Sequence, residues 1–150
     1  MMKSYDILEN PRGETYKTLI QILCHHSDYF YFVTRKELTY DKDVLQKFLP
    51  FVLKTYKTNE WESTITKGPA ATIYEVEINP QTIQLLTDCA ESLYEWISPQ
   101  LPEDLTFVKN KYAWFYSCSH EKFAVLRARN PYYQQLIEKI DGMTIERVED

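Results

Sequence analysis

The sequence predicts one α+β domain, in which an antiparallel or mixed sheet packs against amphipathic helices. Its 150 residues are a common size for a single domain and suffice to bury one hydrophobic core. Hydrophobic residues make up 44% and charged residues 26%, which is typical of a globular protein rather than a disordered one. A helix-rich first half precedes a β-hairpin signal, which favours α+β with an antiparallel or mixed sheet over a doubly wound sheet.

Three segments show the periodicity of amphipathic helices, and they cover residues 14–26, 43–56 and 80–97. In the first, Glu14 lies in the first turn and His25 in the last, as the helix dipole favours. In the second, Pro50 predicts a kink or two short helices that share one apolar face. The third is predicted to begin at Asn79-Pro80, because Asn caps a helix and Pro fits its first position.

Strand-like segments lie between and after these helices. Residues 29–33 are aromatic or β-branched and predict a buried strand, whereas residues 72–78 alternate like a strand with one largely polar face. Leu105–Lys109 and Tyr112–Ser117 flank Asn110-Lys111. Because a two-residue turn with Asn first tolerates positive φ, these two segments predict a β-hairpin.

The last part of the chain leaves one alternative open. Residues 123–128 form either a third strand or the start of a helix. Asn130-Pro131 predicts the beginning of a short helix, with Gly142 as its C-terminal cap. Residues 143–148 alternate and predict a final strand.

The charge of the chain disfavours two classes of partner. A formal net charge of −5 argues against a nucleic-acid binder, which needs Lys and Arg to displace counterions from phosphates. It also argues against binding to a membrane surface. No apolar run approaches the length of a membrane span and the N-terminus has no signal-peptide core, so we expect a cytoplasmic location.

The cysteines and histidines are not spaced as metal ligands. Cys24, Cys89 and Cys118 are far apart and include no C-x-x-C pair. His25 and His26 are neighbours on a predicted helix and therefore point about 100° apart. With only three glycines, the chain also has no glycine-rich phosphate loop. We therefore predict neither a metal nor a cofactor.

Residues 96–121 combine aromatic, acidic and histidine side chains. The stretch contains Leu-Pro-Glu-Asp-Leu-Thr-Phe at residues 101–107, a tryptophan at Trp114 and Ser-His-Glu at residues 119–121. This combination resembles small uncharacterised bacterial proteins that have no assigned activity. The resemblance covers about a sixth of the chain and implies no mechanism.

Aromatic residues are abundant, with twelve Tyr, seven Phe and three Trp. Tyr and Trp concentrate at interfaces, although an aromatic core explains them equally well. One of them, Trp61, is isolated in the polar segment 58–70, which is predicted to be a loop.

A recognition surface is predicted around Asp104, Trp114, Tyr116 and His120. On a regular strand Trp114, Tyr116 and His120 have the same parity and would line one face beside the acidic Asp104. Such a face would anchor a protein partner, because buried Trp and Tyr dominate interface energies. The expected function is therefore a non-catalytic interaction protein: immunity-like or antitoxin-like, a phage or mobile-element accessory, or a regulatory partner.

Two other functions remain open. Glu103, Asp104, His120 and Glu121 would supply the carboxylates and imidazole of a small hydrolase or nuclease, if the hairpin brings them together. Alternatively, Trp96, Trp114 and Tyr116 would line an aromatic pocket for a small ligand. An enzyme would cluster its acids and histidine in one cleft, whereas a binding protein would expose its aromatic side chains.

Overall fold

The structure, a computed structural model, describes residues 2–148 of the chain. Within this range the helices are α1 Glu14–His26, α2 Lys42–Phe48, α3 Pro80–Asp88 and α4 Pro131–Glu138. The strands are β1 Lys3–Ile7, β2 Tyr29–Thr34, β3 Val52–Thr58, β4 Glu60–Trp61, β5 Thr64–Ile65, β6 Ala71–Val76, β7 Glu103–Lys109, β8 Tyr112–Cys118, β9 Phe123–Ala128 and β10 Ile145–Val148.

Eight of these strands form one sheet in the order β10-β1-β9-β8-β7-β2-β6-β3, and each neighbouring pair is antiparallel. The remaining two, β4 and β5, form a separate small hairpin. The α+β prediction with an antiparallel sheet is confirmed. No helix within residues 2–148 is long and apolar enough to cross a membrane.

The helices pack on one face of the sheet. The apolar stripe of α1, including Leu19 and Leu23, meets Phe30, Phe107 and Phe115 of the central strands in one core cluster. All five side chains are fully buried. Burying each stabilises the fold by roughly 1.5–3 kcal/mol. This core fixes the strands from which the candidate site is built.

The opposite face of the sheet carries a second, smaller cluster. Tyr31, Val33, Ile73 and Val108 come from β2, β6 and β7, and Trp61 of the β4–β5 hairpin covers them. Trp61 is only 8% exposed. The expectation of an isolated tryptophan in a plain loop is therefore wrong, because the hairpin buries it against the sheet.

The predicted helix 14–26 is confirmed as α1, but the predicted helix 43–56 is wrong in its second half. The chain leaves α2 after Phe48, passes through a 3₁₀ turn at Leu49–Phe51 and enters β3. Pro50 cannot donate a helical hydrogen bond. The residues that follow pair with β6 instead, and Leu53 of the apparent apolar face is 60% exposed.

The predicted helix 80–97 is also too long. It begins as expected, because the Asn79 side chain accepts a hydrogen bond from the Thr82 amide in a capping box. It ends at Asp88, and Leu93–Glu95 form only a 3₁₀ turn. Backbone pairing to the segment before α1 replaces the helical hydrogen bonds, as in the 3.0 Å bond from the Leu93 amide to the Pro11 carbonyl.

The predicted hairpin about Asn110-Lys111 is confirmed as β7 and β8. Both turn residues have positive φ, 49° for Asn110 and 68° for Lys111, as a type I′ turn requires. Residues 123–128 are the strand β9, which closes the alternative left open by the sequence.

Two features at the chain ends differ from expectation. The strand β1 was not predicted, although Tyr5 and Ile7 alternate and are buried in the core. Gly142 lies beyond the end of α4, where the capping residue is Lys139. It has φ +81°, and a Cβ there would lie 2.3 Å from Thr15 Oγ1. Gly142 therefore allows a close approach to α1 and does not cap α4.

A cationic cavity beside a buried acidic pair

Trp114 does not share a face with Tyr116. Phe107 pairs with Phe115 but Val108 pairs with Ala113, so Trp114 is the extra residue of a β-bulge. Trp114 is fully buried in the helix-side core, where its Nε1 donates a 2.7 Å hydrogen bond to Ser27 Oγ. The parity prediction is wrong at this residue because the bulge reverses the alternation.

The other predicted aromatic residues are also separated. Trp96 is fully buried and its Nε1 donates to Tyr16 Oη at 2.9 Å. Tyr116 is half-buried on the opposite face of the sheet, where Arg127 lies 5.0 Å above its ring. No aromatic ligand pocket forms from Trp96, Trp114 and Tyr116, because two of them are core residues on the helix side.

His120 and Glu121 lie in the exposed turn between β8 and β9. Within residues 2–148 no hydrogen bond or ion pair joins either side chain to Glu103 or Asp104. The same range contains no group of three His, Cys, Asp or Glu residues that could hold a metal ion. The predicted acid–base cluster is therefore divided between an exposed turn and a buried pair.

Glu103 and Asp104 point to the same side of the sheet because the β2–β7 register shifts beside them. Thr106 pairs with Tyr31 and Glu103 with Val33, so β7 contains one extra residue. Asp104 has φ 56°, in the left-handed region. Sequence alternation would place the two carboxylates on opposite faces, and the bulge brings both to the hairpin side.

Asp104 fastens the β4–β5 hairpin to the sheet. One of its oxygens, Oδ2, accepts hydrogen bonds from Trp61 Nε1 at 2.8 Å, Ser63 Oγ at 3.2 Å and Thr64 Oγ1 at 3.4 Å. The side chain is almost inaccessible, with 1% of the residue exposed. Burial raises its pKa, against the lowering effect of the Trp61 hydrogen bond and of Arg35.

Glu103, the other member of the buried pair, contacts two residues of a neighbouring cavity. Its Oε2 accepts a 3.3 Å hydrogen bond from Tyr40 Oη and lies 3.7 Å from Arg35 Nε. Burial, together with the adjacent Asp104, raises the pKa of Glu103, and Arg35 opposes this. Arg35 also lies over the Trp61 ring at 5.4 Å, so the guanidinium is held from two sides.

Arg35 and Tyr40 both line a cavity of about 510 Å³. One wall is a row across three strands, since Thr34 pairs with Thr72 and Thr72 pairs with Lys57. The start of α2 and the loop before it form the other walls. The complete lining is Thr34, Arg35, Lys36, Leu38, Thr39, Tyr40, Lys42, Leu45, Lys57, Ala70 and Thr72.

The lining is strongly cationic. It contains Arg35, Lys36, Lys42 and Lys57 but no carboxylate from the described residues. None of the three lysines is in an ion pair with another residue of the range 2–148. The nearby Asp41 is engaged as the cap of α2, where it accepts hydrogen bonds from the Asp43 and Val44 amides. The lysine charges are therefore available to an external anion.

A larger cavity, of about 640 Å³, lies before α1 and differs in charge. Its lining mixes Arg12 and Lys17 with Asp88, Glu91 and Glu95. Because the charges there offset one another, it has no preference for an anion. The smaller cavity is thus the more specific candidate.

The distribution of charge along the sequence carries a signal for this cavity, although no motif marks it. Residues 35–57 hold six of the 17 cationic side chains and only three of the 22 acidic ones. The rest of the chain is correspondingly more acidic than its average. A local excess of cations in an acidic chain points to an anion site even where no motif is present.

No family model, curated protein or solved structure matches this chain.

Proposed function

We propose that the protein is a non-catalytic binding protein that recognises an acidic segment of another protein through the cationic cavity. The observation that carries this proposal is the lining of Arg35, Lys36, Lys42 and Lys57 without a carboxylate, in a chain of net charge −5. Arg35 is paired with Glu103, but the three lysines form no ion pair within residues 2–148, and unpaired cations in a concave site attract and orient anionic groups.

A binding role fits the geometry better than a catalytic one. The acidic pair behind the cavity is 3% exposed at Glu103 and 1% exposed at Asp104. Their oxygens already accept hydrogen bonds from Tyr40 and from the β4–β5 hairpin. Neither carboxylate is therefore placed to take a proton from a substrate or to hold a cation against one.

The extent of the positive charge favours a segment of a protein over a single small anion. The lysines of the cavity come from separate elements, with Lys36 in the loop before α2, Lys42 at the start of α2 and Lys57 on β3. A chain with several carboxylates engages such a surface more fully than one phosphate does. An immunity-like, antitoxin-like or regulatory protein would suit this role if its partner exposes an acidic segment.

The test is a selection of short peptides from a random-sequence display library on the folded protein. We expect the recovered peptides to be enriched in Asp and Glu. We expect them to lose binding by roughly tenfold or more when Lys36, Lys42 and Lys57 are each replaced by Gln. This follows because three exposed cations contribute cooperatively to one anionic ligand.

A matched control separates the cavity from overall charge. Replacing Lys17, Lys111 and Lys139 by Gln changes the net charge equally at exposed positions outside the cavity. This control variant should retain binding. Peptides without acidic enrichment, or equal losses in the two triple variants, would contradict the proposal.

A further inference from the structure

The terminal strand β3 leaves one edge of the main sheet open. It is the last strand in the sheet order and pairs only with β6 among the strands of the described residues. All residues from Leu53 to Lys57 are exposed, including Leu53 at 60% and Tyr56 at 38%. An edge of this kind presents unpaired backbone amides and carbonyls that another strand can complete.

The open edge begins beside the cationic cavity. Lys57 belongs to β3 and lines the cavity, and its cross-strand partner Thr72 lies in the cavity wall. Lys54 lies on the same strand, with its Nζ 5.1 Å from the centre of the Tyr56 ring. Lys57 therefore joins the open edge to the cavity, whereas Lys54 has the opposite parity and lies with Tyr56 on the hairpin face of the sheet.

The positive charge of the β3 lysines determines which kind of strand can pair with this edge. Like charges directly opposite one another destabilise a strand pair, whereas opposite charges stabilise it. A second copy of β3 would bring lysines near lysines. A strand with acidic side chains at alternate positions would instead place a carboxylate opposite Lys57 and toward the cavity.

We propose that the acidic segment of the partner binds as an added β-strand along β3, with an acidic side chain entering the cavity beside Lys57. This inference rests on the proposed function, since it assumes that the cavity takes an acidic segment. Main-chain hydrogen bonds to β3 would supply affinity, and the cavity would supply the preference for a carboxylate.

The test uses an acidic peptide of roughly ten residues recovered from the library, a length sufficient for one strand. Its backbone amides are methylated in two sets, at odd and at even positions. In an added strand, alternate amides point to β3 and the others point to solvent. We therefore expect one set to weaken binding by roughly tenfold or more and the other set to have a much smaller effect.

Hydrogen exchange on the unmodified protein gives an independent measurement. Bound peptide should slow exchange at alternate amides of residues 53–57 and leave the opposite edge strand β10 unchanged. Binding could depend on the Asp and Glu side chains of the peptide while the two methylation sets have equal effects and β3 is not protected. That result would contradict the added-strand geometry but leave the proposed function standing. If no recovered peptide requires its Asp and Glu side chains for binding, both the proposed function and the added-strand geometry are contradicted. Self-association of the protein through β3 in sedimentation would also contradict the inference.

Discussion

Asp104 shows how a residue that looks catalytic in sequence can be structural. Its carboxylate accepts three hydrogen bonds from a hairpin located about forty residues earlier in the chain. These contacts hold Trp61 over the small cluster of Tyr31, Val33 and Ile73. Asp104 thus holds in place the hairpin that covers this face of the sheet.

The unfolding free energy of Asp104→Asn, relative to that of the original protein, should increase as the pH rises. Burial raises the pKa of Asp104 above its ordinary value of 3.8, so the folded state holds the proton more tightly than the unfolded chain does. The contribution of this group to the unfolding free energy is therefore greatest below pH 3.8 and falls as the pH rises through the folded pKa. Asn also accepts hydrogen bonds and tolerates the positive φ.

Urea unfolding of the two proteins from about pH 4 to about pH 7 measures this difference. The difference in unfolding free energy should shift in favour of Asp104→Asn across that range. A difference that does not change with pH would show that the carboxyl has an ordinary pKa in the folded protein.

Trp114→Ala should lower the unfolding free energy by about 3–5 kcal/mol, because it empties a fully buried site in the core. His120→Ala should change it by less than about 0.5 kcal/mol, because His120 is exposed in a turn. Denaturant unfolding of the two variants checks both values. A nearly unchanged stability of Trp114→Ala would indicate that the residue is not part of the core.

The sequence alone does not predict which face of the sheet these side chains occupy or whether they are buried, and the reason is physical. Two β-bulges, at Trp114 and beside Asp104, reverse the alternation on which parity arguments depend. Burial also depends on partners that are distant in sequence, as with Trp61 and Asp104. Only Tyr116 and His120 of the predicted recognition residues are accessible, and their binding role stays a prediction.

Among the elements, local signals were sufficient where they agreed with the tertiary contacts. The helix at 14–26 and the Asn110-Lys111 hairpin follow directly from periodicity and turn chemistry. Helical periodicity failed at 52–56, where the same residues pair with β6 at the edge of the sheet. Such pairing is non-local, so a helical pattern alone does not exclude it.

Gly142→Ala should destabilise the contact between the segment after α4 and α1. A Cβ at Gly142 would lie 2.3 Å from Thr15 Oγ1, and the φ of +81° adds strain of about 1–2 kcal/mol for a non-glycine residue. Adding Thr15→Ala removes the clashing oxygen and should recover the steric part. A double-mutant cycle measured by thermal unfolding should give a coupling of about 0.5–3 kcal/mol, and additive effects would contradict the steric account.

At the scale of the whole molecule, the distribution of charge is more informative than its sum. The net charge of −5 led to the expectation of a protein partner and not a nucleic acid. The structure adds that four of the six cations of residues 35–57 line one cavity beside an open sheet edge. A pattern search for catalytic motifs does not detect this arrangement, because it depends on how β2, β3 and α2 meet.

The variant with Lys36, Lys42 and Lys57 replaced by Gln should be at least as stable as the original protein. The three lysines form no ion pair within residues 2–148, and like charges around one cavity repel. Its thermal midpoint at low salt should therefore equal or exceed that of the original. A loss of more than about 1 kcal/mol would indicate that these lysines support the fold and not a ligand.

Chemical-shift mapping with two isosteric peptides tests the central proposal most directly. One peptide alternates Glu with Thr, and the other replaces each Glu by Gln, so that only the charge differs. We expect the Glu peptide to shift the amide signals of residues 34–42 and 53–57, with an affinity that falls as salt is added, and the Gln peptide to shift none of them. Equal shifts with both peptides, or shifts centred on the mixed-charge cavity before α1, would contradict the assignment of the cationic cavity as the binding site.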